Sequence, residues 1–379
     1  MTYILIRHHM FNTYLMGPGG SEYVTLETAI AFTERGFPVY IDSVTLNTPS
    51  KLRELADHYG LKRPELRLIG IGDPAGNPLL TINTSGDILS GYSDVLYLHY
   101  PSFLNYDIYY PGLNGIFNLV GKTYSLLNSV IFPFMMKKIK IYIANSSFTA
   151  SFFKKYYNID PYVITPPVNI DDIVSEPLLI RNEREYIVLS VSRISPEKHV
   201  ENVLYVARKF SREKNKPRFI IAGSLSKYNR DYYDELREKA SKKGIDDIVE
   251  FKVNISRTEL VDLYRKAMVY MHPTPREHFG ISIVEAMAAG TPVVIPIDSG
   301  SWVDIALGNR NIAAPYRNID EAFIQVKTLL ENERLWTHLS KRSINRAREL
   351  DRHVFHNKLY YALEPLILKR WGGTANLRK

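Results

Sequence analysis

Short apolar runs alternate with amphipathic stretches along most of the chain, the pattern of strand and helix in turn that builds parallel sheets. Tyr3 to Arg7 opens as an apolar strand. The glycine-rich turn Gly17-Pro18-Gly19-Gly20-Ser21-Glu22 leads into a helical pattern through Arg35, Gly36 stops it, and Val39 to Asp42 returns as a strand. Asp94 to His99 and Ile141 to Asn145 read as further strands, the second running into a helix whose start, Asn145-Ser146-Ser147-Phe148-Thr149, offers a serine as N-cap. Two prolines in Val163 to Val168 stop helix and central strand alike, so a first domain is expected over residues 1–168. The polar segment 169–185 reads as an interdomain connection.

The alternation restarts at Tyr186 to Val191 and continues through strands at 219–222, 249–253 and 269–272 with helices between them, so a second domain is expected over residues 186–351. Two helices fill 320–350, and a last helix from about Arg352 to Leu368 forms the tail, 352–379. The pattern predicts an α/β fold of two Rossmann-like domains.

Composition narrows the function classes. A chain of 379 residues holds two full cores, and 45% hydrophobic with 23% charged residues is ordinary for a globular protein. No run reaches the roughly 18 to 20 apolar residues that cross a bilayer, and the chain begins directly as a strand, so a cytoplasmic location is expected. The absence of cysteine excludes disulfides, thiolate metal sites and a cysteine nucleophile. A net charge of +8 favours acidic partners, but Lys and Arg are scattered and no zinc-finger, RNP-type or basic-zipper pattern occurs, so nucleic acid is not an expected partner. Gly112 to Met136, followed by Lys137-Lys138-Ile139-Lys140, is the least polar part of the first half. It reads either as core helices or as an interfacial surface meeting acyl chains and anionic headgroups.

The densest chemistry lies in Arg276 to Val294, REHFGISIVEAMAAGTPVV. Glu277 precedes a glycine turn, Phe279-Gly280-Ile281 opens a short apolar helix with Ser282 as expected N-cap, Glu285 lies one turn in, and Gly290 ends it. Gly280 lets a ligand approach the backbone, the free amides of a helix start favour an anion, and two carboxylates can accept bonds from hydroxyls. Either glutamate alone would be an ordinary solvated acid.

Together these residues resemble the Glu-x7-Glu signature of the retaining GT4 glycosyltransferases of GT-B fold. The Glu-His-Phe-Gly-Ile form is similar to the mannosyltransferases that build lipid-linked oligosaccharides. Other segments agree. Arg193 and Lys198 in Ser-Arg-x-x-Pro-Glu-Lys resemble the family's phosphate clamp, where two cations neutralise a diphosphate leaving group. Gly19 and Gly20 match its loop near the donor phosphates, Gly223 its glycine beside the donor, and Val253 the neighbourhood of the nucleotide base. His99-Tyr100-Pro101, at a strand tip, resembles the sugar- or acceptor-side site of the α-1,2-mannosyltransferase branch.

The resemblance implies a GT-B fold whose two Rossmann-like domains face across a cleft, with the C-terminal helix crossing back to the first. It further implies acceptor on the first domain, donor on the second, retention of configuration and no divalent metal or other cofactor. Glu277 would hold sugar hydroxyls, and Glu285 the ribose hydroxyls or the phosphate loop. The expected donor is GDP-mannose and the acceptor a polyprenyl-linked or other glycan, with peripheral contact to an anionic membrane. A GT4 enzyme using a UDP-sugar, or a non-catalytic basic lipid- or nucleic-acid-binding module on a degenerate GT-B fold, are the competing readings.

Overall fold

The computed structural model describes residues 2–9, 19–43, 45–61, 64–74, 76–87, 91–101, 115–175 and 177–375. Gly17 and Pro18 of the glycine turn, residues 112–114 of the apolar stretch and the end of the tail, 376–379, lie outside them. The chain divides into two compact units, Met1–Pro167 with Arg352–Lys379, and Val168–Asp351.

The first unit is a parallel sheet of β1 (Ile4–Arg7), β2 (Val39–Asp42), β3 (Ile69–Ile71), β4 (Leu80–Asn83), β5 (Val95–Leu98), β6 (Ile141–Ala144) and β7 (Tyr162–Val163). Its spatial order, β3-β2-β1-β4-β5-β6-β7, reverses between β1 and β4, with Ile4 paired to Val39 on one side and Leu80 on the other. Helices α1 (Gly20–Thr33), α2 (Pro49–His58), α3 (Gly115–Met136) and α4 (Ser147–Tyr157) accompany it. At the start of α4 the Ser146 hydroxyl accepts the Thr149 amide at 3.1 Å, the expected cap.

The apolar stretch became one helix, α3, with two fates on its two faces. Asn128, Phe132 and Met136, four residues apart, are buried. Phe132 joins Leu96, Leu98 and Phe153 in the core, and full burial of such a side chain contributes about 2 kcal/mol. The opposite face shows Leu119, Leu126 and Phe134 at 67%, 65% and 64% exposure, beside exposed Val120, Leu127, Val130 and Ile131. Among the described residues no helix is long and apolar enough to cross a membrane.

The second unit is a parallel sheet of β8 (Glu185–Val191), β9 (Arg218–Gly223), β10 (Val249–Val253), β11 (Ala267–Met271), β12 (Val293–Pro296) and β13 (Ala314–Tyr316). Its order, β10-β9-β8-β11-β12-β13, reverses between β8 and β11. The helices are a single turn α5 (Asp171–Val174), then α6 (Glu201–Phe210), α7 (Arg230–Lys242), α8 (Arg257–Lys266), α9 (Ile281–Ala288), α10 (Ile319–Glu331) and α11 (Glu333–Arg348). Two apolar clusters form its core, one around Leu189, Tyr270 and Ile283, the other around Val188, Val269 and Trp336. Residues 169–185 belong to this unit and do not stand apart as a connection. Within them Arg184 is buried, donates to Ala289 O at 2.6 Å and to Thr291 Oγ1 at 2.7 Å, and so closes the C-terminal end of α9. Burial, with Arg265 nearby, lowers its pKa to about 10.

The last helix, α12 (Arg352–Ala375), belongs to the first unit. Phe355, Leu359, Leu363 and Ile367 make a buried stripe at four-residue spacing, and Arg370 grips Asp94 with bonds of 2.8 and 2.6 Å.

Candidate functional site

In an open parallel sheet the loops at the carboxyl ends of the strands bind ligands where the strand order reverses. In the second unit that point lies between β8 and β11. The loop after β8 carries Lys198 in a 3-10 turn, Pro196–Lys198, and the loop after β11 carries Glu277. The two loops are stitched together: Thr274 Oγ1 donates to Lys198 O at 3.0 Å, and Asn202 Nδ2 to Pro273 O at 2.9 Å.

Glu277 is buried. Its Oε2 lies 2.8 Å from Lys198 Nζ and 3.1 Å from His272 Nε2, and its Oε1 accepts the His278 amide at 3.1 Å. Burial alone would raise this carboxyl, but Lys198 and the His272 bond hold it well below the usual range. Arg193 is not brought onto Glu277; it pairs with Glu197 at 3.3 Å. Three non-glycine residues on these sheet-end loops, His199, Asn254 and Arg276, have φ of 50°, 55° and 54°. Such left-handed backbone costs free energy and clusters at functional loops.

Two glycines are fixed by close backbone approach. A Cβ on Gly223 would sit 1.7 Å from Ser192 O, and one on Gly300 1.9 Å from His278 O. Gly300 also donates its amide to Glu277 O at 2.7 Å, so the 298–301 turn clamps the acid from behind. Gly223 and Val253 are register partners on adjacent strands, at the same end of the sheet.

The helix start differs from expectation. Gly280, at φ 99°, is the N-cap of α9, with Phe279 buried before it and Ile281 at the first helical position. Ser282 is not the cap because its hydroxyl is drawn into the core, 2.8 Å from Tyr270 OH and 3.1 Å from Val191 O. Glu285 pairs with Arg257 and accepts a 2.8 Å bond from Tyr264 OH. Arg257 in turn grips Asp172 at 2.8 and 3.0 Å. Burial disfavours its charge, yet Glu285 and Asp172 outweigh that and raise its pKa.

In the first unit the reversal lies between β1 and β4, and the tips of β1, β4 and β5 bring His8, His9, Thr84, Asp87 and His99 together. His9 Nε2 meets Asp87 Oδ2 at 2.6 Å, and Tyr124 of α3 donates to the same oxygen at 2.6 Å. Burial pulls His9 down, but Asp87 more than compensates and its pKa is raised. Burial likewise opposes the Asp87 charge, and the bonds from His9 and Tyr124 reverse that and lower its pKa. His99 donates Nε2–H to Thr84 O at 2.9 Å, and burial lowers its pKa despite Thr84, Glu22 and Asp87. Burial, with His9 and His99 alongside, holds His8 well below the ordinary histidine value.

Of the glycine turn, Gly19 and Gly20 lie among the described residues, at the start of α1. Gly19 caps α1, and its amide goes to the buried Glu22 carboxylate at 3.1 Å, which also accepts Ser21 Oγ at 2.9 Å; Gly20 is the first helical residue. A carboxylate already occupies the amide assigned to an anion.

Lys198 and Glu277 thus meet just ahead of the α9 start, while Arg193 pairs with Glu197 instead. His272, Gly300, Arg257, His9 and Asp87 were missed. The legible signal for His272 was its place at the end of the strand run that precedes the motif.

Residues 176–350 match the family model "Glycosyl transferases group 1". The chain is 24% identical over 264 residues to the GDP-Man:Man(3)GlcNAc(2)-PP-Dol alpha-1,2-mannosyltransferase of Dictyostelium discoideum, covering 66% of this chain and 50% of that protein. Sucrose-phosphate synthase from Thermosynechococcus elongatus superposes with a TM-score of 0.72 at 13% identity, over 97% of this chain and 100% of that one. Anabaena HepE in complex with UDP and glucose gives 0.67 at 17% identity, over 96% and 100%. The chain therefore spans half the length of the Dictyostelium relative. The second unit is a group 1 glycosyltransferase domain, and the fold is that of the GT-B glycosyltransferases.

Proposed function

We propose that this chain is a retaining, GT4-type glycosyltransferase that moves mannose from GDP-mannose to a lipid-linked glycan. The observation that carries the reading is the ion pair of half-buried Lys198 with buried Glu277 at the strand reversal of the second unit. A carboxylate held ionised accepts hydrogen bonds from sugar hydroxyls, and a lysine beside it meets the charge that grows on a leaving diphosphate. Arg193, five residues earlier on the same loop, adds a second cation. Glu277 is a poor covalent nucleophile because both its oxygens already carry donors. Attack of the acceptor hydroxyl on the face the diphosphate leaves, with that diphosphate taking the proton, keeps the configuration and balances the step. No divalent ion enters this scheme.

The mannosyl donor and lipid-linked acceptor are supported by the printed name of the Dictyostelium relative and by the Glu277-His278-Phe279-Gly280-Ile281 segment. HepE, complexed with UDP and glucose, favours a second reading with a UDP-sugar donor. In either case α3, with its exposed apolar face and Lys137 and Lys138 at its end, is proposed to lie on an anionic bilayer. Thermal shift against GDP-mannose, UDP-glucose and the free nucleotides separates the donors, since a ligand at 100 times its Kd stabilises by about 2.7 kcal/mol. Stabilisation by a mannosyl donor together with transfer to a polyprenyl-linked glycan is expected; saturable binding of none of them overturns the reading. Flotation with vesicles, lost in Leu126→Asp and weakened by salt, tests the membrane face.

A further inference from the structure

We propose that Glu34, His353 and His356 form a binding site for a divalent transition-metal ion of the zinc type, which clips α12 onto α1. His353 and His356 stand one turn apart at the start of α12, and Glu34 is the C-cap of α1. One donor atom from each lies within 4.8 Å of the others.

The hydrogen bonding of His356 carries the argument. The side chain is buried and both ring nitrogens meet carboxylates, Nε2 with Glu27 Oε2 at 2.7 Å and Nδ1 with Glu34 Oε2 at 3.0 Å. Glu27 is fully buried and further fixed by Tyr23 OH at 2.9 Å. Ionised carboxylates only accept. With Nε2–H given to Glu27, Nδ1 aims its lone pair at Glu34, and two acceptors 3.0 Å apart require a cation between them. A second ring proton is one answer, and a metal ion is the other.

Three features favour the metal. A histidine that ligates through one nitrogen and donates the other N–H to a buried carboxylate is the usual outer-shell arrangement of metal sites, and Glu27 supplies it. His353 adds a second imidazole on the same side, giving an N2O set that suits zinc, cobalt or nickel and not magnesium or calcium. Both His353 and Glu34 reach solvent, so water can complete the coordination. Bonds of about 2.1 Å put tetrahedral donors roughly 3.4 Å apart, so the ion would draw the three donor atoms, now within 4.8 Å, closer together.

The site is remote from the strand-tip cluster. It lies at the far end of α1, a helix of 14 residues and hence about 21 Å long. Its role is to fasten the returning helix, joining positions 322 residues apart in sequence. It does not depend on the proposed transfer reaction.

Isothermal titration of the full chain, free of any histidine tag, with ZnCl2 is expected to show one site, and Co2+ a visible absorption band of low-coordinate geometry. His353→Ala, which leaves the His356–Glu27 bond in place, and Glu34→Gln are each expected to weaken Zn2+ binding by at least about tenfold with an unchanged circular dichroism spectrum. Zn2+ should also slow amide exchange over residues 352–360. Identical Zn2+ titrations of wild type and His353→Ala would overturn the proposal. So would exchange in α12 that responds to pH but not to Zn2+, because a proton would then occupy the position.

Discussion

The two sheets reverse strand order in the same way, β1 against β4 and β8 against β11, and both gather polar side chains there, but of different kinds. At the second unit's reversal Lys198 and Glu277 make an ion pair at 2.8 Å, with the carboxyl of Glu277 held well below its ordinary range by Lys198 and the His272 bond. The first unit's reversal holds His8, His9 and His99 around Asp87, groups whose protonation changes near pH 7 unless neighbours move it. Burial and Asp87 drive those histidines apart, His9 upward and His8 and His99 downward. One fold therefore carries two electrostatic designs.

Substitution at each reversal sharpens or breaks this contrast. The largest effect is expected for Glu277→Gln, which keeps the shape but leaves Lys198 without its counter-charge: transfer should fall by about 10³-fold with the circular dichroism spectrum unchanged. Turnover near wild type would remove the pair from the chemistry. Asp87→Asn comes next, at about 3 kcal/mol of stability by urea unfolding, because it strands a charged His9. That loss should depend on pH. The raised His9 pKa means its contribution is complete below its ordinary 6.5 and fades as pH climbs through the raised value. The lowered Asp87 pKa means its share is complete above its ordinary 3.8 and is lost as pH falls through the depressed value. The deficit of the variant should thus be widest between 3.8 and 6.5 and narrow in alkali. A flat profile would place the pair outside the titratable set. Gly300→Ala, whose new methyl meets His278 O, should cost about 2 kcal/mol and reduce transfer along with stability. The smallest effect belongs to Tyr124→Phe, about 1 kcal/mol, read by the same unfolding assay.

How much of this was legible follows from how each site is assembled. In the second unit Glu277, Phe279, Gly280 and Glu285 lie within one turn and helix, and Arg193 and Lys198 within one loop, so contiguous spacing announced them. The partners that tune them did not. His272 ends a strand, Gly300 sits in a turn beyond the next strand, and Arg257 opens another helix, so only the folded register brings them near. In the first unit the cluster draws one or two residues from each of three strand tips. Strands β3 and β4 and helix α2 fall in a stretch, 43–93, where no periodicity was assigned, and with β4 went Asp87, the group that organises the histidines. His8-His9 at the end of an apolar strand was the available signal. Gly19 was legible as a helix start, and Glu22 three residues on is the capping partner of its amide.

Arg257 and Arg265 also decide where the second unit can be cut. Arg257 donates to Asn169 O at 3.2 Å as well as to Asp172, and Arg265 to Ile173 O at 3.2 Å and Pro177 O at 2.6 Å. A fragment begun at Tyr186, where the apolar strand first shows itself, would strand these guanidiniums without their acceptors and lose Arg184 from the end of α9. A secretable or crystallisable second unit has to begin no later than Val168, and proteases probing the intact chain should spare 169–175 although it looks, by composition, like the natural place to nick.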